Sequence, residues 1–192
     1  TVKVKAEYAD ELVNAGYSAS EADENGLVTV EKDEIPTLTK AETALLLEEN
    51  FKMSFYFPVD QFVDGVNYFA MITKHHVGTC GDPDEITYVA IDMTKIYDAD
   101  YYGASYRVVA EDIAAKEMNC AISCQVFAGE MPENVNDENT AVSIGTVKDS
   151  IYEYAMWQLE NSNDEKLKTL IVDVLNYGAA AQKYFNHYET VL

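Results

Sequence analysis

Residues 75–85 hold a compact set of side chains that could do chemistry: His75, His76, Cys80, Asp82, Asp84 and Glu85. A transition metal needs three or four converging nitrogen or sulfur ligands. Adjacent histidines on an extended backbone point to opposite faces, so His75, His76, Cys80 and Asp82 read as a polar loop. Cys80 with His76 would be the pair for a thiol nucleophile, but that chemistry also requires an oxyanion hole and a base brought from elsewhere in the fold, and neither is traceable. Hard cations prefer oxygen. Asp82, Asp84 and Glu85 make one oxygen-rich loop, and Glu133, Asn134, Asn136, Asp137, Glu138 and Asn139 make another. Neither has EF-hand spacing, so the expectation is no cofactor, with a structural calcium at Asp82, Asp84 and Glu85 as the one metal reading left open.

Aromatic rings offer a second chemistry. The chain has 14 tyrosines and one tryptophan. Sugar rings stack on aromatic faces while neighbouring carboxylates accept their hydroxyl hydrogens, so Tyr97, Tyr101 and Tyr102 beside Asp98 and Asp100 form the candidate ligand-binding cluster. Tyrosines at strand ends are also ordinary rim material. Trp157 falls within a helical stretch and is expected to cover the sheet. Paired carboxylates of a glycoside hydrolase are a further alternative, although 34 acidic residues make chance pairs common and none stands in a recognisable site.

The totals bound the rest. A chain of 192 residues that is 48% hydrophobic can bury a core without metals or disulfides. The formal net charge of −21 repels phosphate backbones and argues against nucleic acid. No run of 18 apolar residues is present to span a membrane. The chain opens without methionine or signal peptide, as an excised or mature portion would. Three cysteines are too few for a disulfide scaffold. Cys120 and Cys124, four apart on one strand face, are too distant to bond each other; either could face Cys80 across a sheet, and Cys124 reads as a buried small hydrophobe.

The elements that must position these residues read as strands followed by helices. Residues 1–36 form a peripheral acidic segment, with strand patterns at Thr1–Tyr8 and Leu27–Val30, that could be a β-hairpin or the tail of a preceding unit. Residues 37–192 form the main module. A strand at Thr43–Leu47, a turn at Glu48, Glu49 and Asn50, and a strand from Phe51 to Val59 follow, with Phe51, Met53, Phe55 and Phe57 inward. Val66–Thr73, Ile86–Met93, Met118–Phe127 and Ala141–Ile144 read as further strands. Val66–Thr73 is apolar on both faces, as a central strand covered by helices would be, and Ala110–Lys116 reads as a connector or one helical turn. Helices are expected at Val147–Leu159, capped by Thr146 with Asp149, and at Leu167–Tyr188, capped by Ser162 with Glu165. Leu167, Leu170, Ile171, Val174, Leu175, Gly178, Ala179, Ala181 and Phe185 share one stripe of the second. The expected fold is mainly β (α+β): an antiparallel β-sandwich or curved sheet packed against a C-terminal helical hairpin.

The run Asn176, Tyr177, Gly178, Ala179, Ala180, Ala181, Gln182, Lys183, Tyr184 and Phe185 resembles the closing helix of an uncharacterised module of large secreted and cell-surface proteins of Gram-positive gut and rumen bacteria, some of them cellulosome-associated. The resemblance covers roughly residues 40–188. The family continues with a tail rich in tyrosine and asparagine, whereas His187, Tyr188 and Glu189 stand here. The resemblance implies a secreted or cell-surface location and a noncatalytic accessory role in adhesion, scaffold attachment or spacing. It implies partners among other modules of a multidomain surface protein, a protein partner or plant polysaccharide. It carries no catalytic residues. Asn176–Phe185 reads as a packing seam, with a surface made by Gln182 and Tyr184 as the alternative.

Overall fold

A computed structural model describes residues 2–9, 17–32, 35, 37–76 and 83–186 of the protein. Near the N-terminus, β1 (Val2–Lys5) and β2 (Tyr17–Ala19) flank β3 (Leu27–Lys32) in a three-stranded antiparallel sheet. Ala9 and Val28, with Val4, give this sheet an apolar cluster of its own.

The body is two four-stranded antiparallel sheets. One has the order β4 (Glu42–Leu47), β5 (Phe51–Pro58), β9 (Gly103–Ile113), β8 (Tyr97–Ala99). The other runs β11 (Val142–Asp149), β10 (Ala121–Ala128), β6 (Tyr68–His75), β7 (Glu85–Ala90). Alternation explains how they meet. Met53, Phe55 and Phe57 are fully buried, and their cluster continues through Val108 of β9, Ile72 of β6 and Ile122, Cys124 and Val126 of β10. Each large apolar side chain removed from water contributes roughly 1.5–3 kcal/mol. One core shared by two antiparallel sheets, with a C-terminal helix pair, is the mainly β architecture expected.

Several boundaries differ from expectation. Of the stretch expected to be a connector or one helical turn, residues 110–113 instead continue β9 to Ile113, and a single helical turn stands at Ala115–Glu117. Strand β11 extends to Asp149, paired with β10 through a bulge where Val126 faces Gly145 and Phe127 faces Ser143, and Val147 alternates into the core opposite Cys124. The first helix, α1 (Ile151–Asn161), therefore starts one turn late. Its N-cap is Ser150, whose Oγ accepts the Glu153 N–H at 3.0 Å, not Thr146. The second, α2 (Glu165–Phe185), is capped by Asp164, whose Oδ1 accepts from Lys166 at 2.8 Å and Leu167 at 3.2 Å. Ser162 instead closes α1 through its N–H to Gln158 O at 2.9 Å.

The helices also lie elsewhere than expected. α1 packs on β4 and α2 on the turn at Ala115–Glu117. They do not cover the outer face of β6, where Phe69 stacks on Phe127 at 5.1 Å and meets Tyr88 edge-on at 5.5 Å. Along α2, Ile171, Val174, Gly178 and Gln182 are buried, whereas Leu170 and Phe185 of the expected stripe are exposed. Gln182 Nε2 donates to Asn119 Oδ1 at 2.8 Å and to Lys116 O at 3.3 Å, which ties the helix to the segment before β10. Gly145 in β11 accommodates a close approach: a Cβ there would lie 2.7 Å from Leu38 Cβ, and the Leu38 N–H reaches Ile144 O at 2.8 Å. No helix among the described residues is long and apolar enough to cross a membrane.

Candidate functional site

The tip of the β8–β9 hairpin is Asp100, Tyr101 and Tyr102 between paired Ala99 and Gly103. A three-residue hairpin loop closes through a residue in the left-handed region, and Gly103 takes it with φ +65°. Such a tip has no room to turn its side chains inward. Tyr101 is 71% exposed and Tyr102 43% exposed. Glu42 Oε2 on β4 accepts the Tyr101 N–H at 2.9 Å, fixing the tip beside that strand.

Opposite the tip stands α1. Because the helix begins at Ile151, its buried line is Ile151 and Ala155, and Trp157, two residues beyond Ala155, is turned about 200° away. Trp157 is accordingly 46% exposed, contrary to the expectation that it covers a sheet. Tip, β4 and α1 enclose an open groove of about 640 Å³ lined by Tyr101, Tyr102, Tyr154 and Trp157, by Glu42, Asp100, Asp149 and Glu153, and by Lys148 and Gln158. Four carboxylates against one ammonium make it acidic.

The two inner polar groups are held firmly. Asp149 Oδ2 accepts from Thr43 Oγ1 at 2.6 Å and Oδ1 from the Ser150 N–H at 2.8 Å. Burial raises its pKa; the Thr43 and Ser150 bonds oppose that, and Glu153 adds to it. Tyr154 OH accepts from Gln158 Nε2 at 3.1 Å, and burial raises its pKa too. Both Asp149 oxygens are thus engaged in joining β4 to the start of α1.

No family model, curated protein or solved structure matches this chain. The site therefore rests on its own geometry.

Of the five residues expected to bind ligand, the structure brings Asp100, Tyr101 and Tyr102 to the groove and leaves out two. Tyr97 lies beneath Arg107, with Cζ 4.1 Å from the ring centroid, and lines a different groove. Asp98 is exposed on the short strand, beside Gly103. The sequence reading missed Glu42, Lys148, Asp149, Glu153 and Tyr154 as groove residues. They sit on β4, the end of β11 and α1; with Ala155 inward, the helical period alone turns Trp157 outward.

Of the calcium candidates, Asp82 lies outside the described residues, as does Cys80. Asp84 accepts from the His76 N–H at 3.1 Å and lies 2.9 Å from His75 Nδ1. Glu85 pairs with Lys74 at 2.7 Å, a bond that holds its carboxyl below the usual range. Among the described residues no cluster of three His, Cys, Asp or Glu could hold a metal. In the second oxygen-rich loop, Asp137 Oδ2 accepts from Asn134 N and Nδ2 at 2.9 and 3.0 Å. Cys120 precedes β10 rather than lying on its face, its N–H closing a turn onto Glu117 O at 2.8 Å. Cys124 is fully buried, and burial pushes its thiol far up, away from thiolate chemistry. In the helix motif, Gly178 and Gln182 are buried, Ala179 and Ala181 half-buried, and Asn176, Tyr177, Ala180, Tyr184 and Phe185 exposed. Gln182 therefore belongs to packing and not to a surface with Tyr184.

Proposed function

We propose that this chain is an extracellular accessory module of a bacterial surface or cellulosome-like protein, and that the groove between the β8–β9 tip and α1 binds, without itself catalysing any reaction, a neutral carbohydrate of the plant-polysaccharide class. The observation that carries the reading is the set of rings at the groove. Tyr101, Tyr102 and Trp157 present exposed faces beside Glu42, Asp100 and Glu153. Aromatic faces take the C–H side of a sugar, and carboxylates accept its hydroxyls. The acidic lining disfavours anionic glycans. The resemblance of the C-terminal helix supports the secreted, multidomain setting, and the fixed bonds of Asp149 favour recognition over hydrolysis by paired carboxylates.

The test is calorimetric titration with neutral plant oligosaccharides, using polygalacturonate as the anionic control. Neutral fragments should bind, and Tyr101→Ala or Trp157→Ala should each weaken binding about tenfold, roughly 1.4 kcal/mol. Binding unchanged in both variants would place the ligand elsewhere. Failure of every neutral fragment with an intact fold would leave adhesion, scaffold attachment or spacing as the role.

A further inference from the structure

A separate arrangement lies on the outer face of the second sheet, around the end of β6. His75 stands opposite Ala121 of β10, and Ser123 is two residues further along that strand. Side chains two apart on paired strands are diagonal neighbours within reach of a long side chain, and the small Ala121 leaves the imidazole room to lean along the sheet. His75 Nε2 lies 2.6 Å from Ser123 Oγ, and Nδ1 lies 2.9 Å from Asp84 Oδ2. The other Asp84 oxygen accepts the His76 N–H at 3.1 Å, so the carboxylate is gripped at both ends. An ionised carboxylate only accepts, so Nδ1 is the donor to Asp84; when the ring is neutral, this tautomer leaves the Nε2 lone pair for the serine proton. The His75 and Asp84 side chains are 28% and 44% exposed, so a reagent can reach the group.

We infer that Ser123 is an activated nucleophile toward small acyl esters, with His75 as its general base and Asp84 as a positioning residue. Serine, imidazole and carboxylate linked through these particular atoms match the nucleophile, base and orienting group of a hydrolytic triad, which is recognised by geometry and not by sequence order. Ser123 Oγ attacks the acyl carbon as its proton passes to His75 Nε2. Collapse expels the alcohol, which takes that proton, and leaves an acyl-serine. Water then attacks with the same relay, releasing the carboxylic acid and restoring the serine. Lys148 of β11 stands opposite Ser123 in the strand register.

An alkyl fluorophosphonate tests this directly, because the serine oxygen displaces fluoride and keeps the phosphonyl group. Intact mass and peptide mapping should show one adduct per chain at Ser123. Ser143, which accepts from Gln125 Nε2 at 2.8 Å and has no imidazole, should stay unlabelled. His75→Gln should slow labelling about 100-fold, within the range that general-base catalysis supplies. Asp84→Asn should slow it at least about tenfold, since an amide can hold the imidazole in the wrong tautomer while still accepting from His76, and Asp84→Glu should restore part of the rate. Heat-unfolded wild-type protein should lose the reaction, a readout that does not depend on any variant folding. Absence of an adduct at Ser123, labelling of Ser143 at the same rate, or an unchanged rate in folded His75→Gln would overturn the inference.

Discussion

Two grooves of nearly equal size, about 640 and 660 Å³, open on this molecule, and they differ in how far their polar groups and rings are already partnered. The second lies between β7 and β9. Its Lys74 is paired with Glu85 at 2.7 Å and donates to Asp112 O at 3.2 Å, while Arg107 covers the Tyr97 ring. A ligand there would have to displace interactions already made. In the first groove, Tyr101, Tyr102 and Trp157 have no stacking partner among the described residues. Volume is thus a poor guide, and an unpartnered aromatic face a better one.

The largest contrast should come from exchanging rings between the grooves. Tyr101→Ala with Trp157→Ala should lower affinity for a neutral glycan about 100-fold if the two losses add, whereas Tyr97→Ala should change it less than about twofold. Equal losses in calorimetric titration would erase the distinction. Stability should respond in the opposite sense. Tyr97→Ala removes a cation–π contact and should cost about 1 kcal/mol, a fall in Tm of about 2–4 °C for a chain of this size. Tyr101→Ala should stay within about 0.5 kcal/mol of wild type. Differential scanning calorimetry of both variants decides it. A smaller effect on affinity is expected at Glu42. Glu42→Ala frees the hairpin tip and should weaken glycan binding about threefold to tenfold, while Glu42→Gln, which still accepts the Tyr101 N–H, should restore most of it.

How much of this was legible depended on whether the decisive contact was local. The hairpin of β4 and β5 was readable because Met53, Phe55 and Phe57 alternate with Lys52, Ser54 and Tyr56, and period two admits no other element. The C-terminal helix was readable for the same reason at period 3.6. Residues 145–150 were not, because Val147, Ile151 and Ala155 fall at a spacing of four that suits a helix. Only pairing with β10 shows that the strand runs to Asp149. The helical period with Ala155 inward turns Trp157 outward wherever the helix starts; what the later start changes is that Lys148 and Asp149 become a strand end beside the groove. Ser123 lies 48 positions from His75, and nothing in a lone serine within a strand pattern announces such a neighbour.

The smallest expected effect concerns the floor of the first groove. Burial lifts the Asp149 pKa above its unfolded value, Thr43 and Ser150 partly offset the rise, and Glu153 adds to it. A carboxyl with a raised folded-state pKa binds its proton more tightly when folded. Its contribution to stability is therefore fully present below the unfolded value near 3.9 and is lost as pH rises through the folded value. Asp149→Asn keeps an oxygen for the Ser150 N–H and an amide for Thr43 but cannot ionise. The Tm of wild type relative to Asp149→Asn should therefore improve as pH falls from 7 to 4. Glu153→Gln should flatten that trend only slightly, because Glu153 is exposed and is the lesser cause. A difference in Tm that stays constant over this range would mean that Asp149 is as well solvated as an open-surface carboxylate, and the floor of the groove would then be as wet as its mouth.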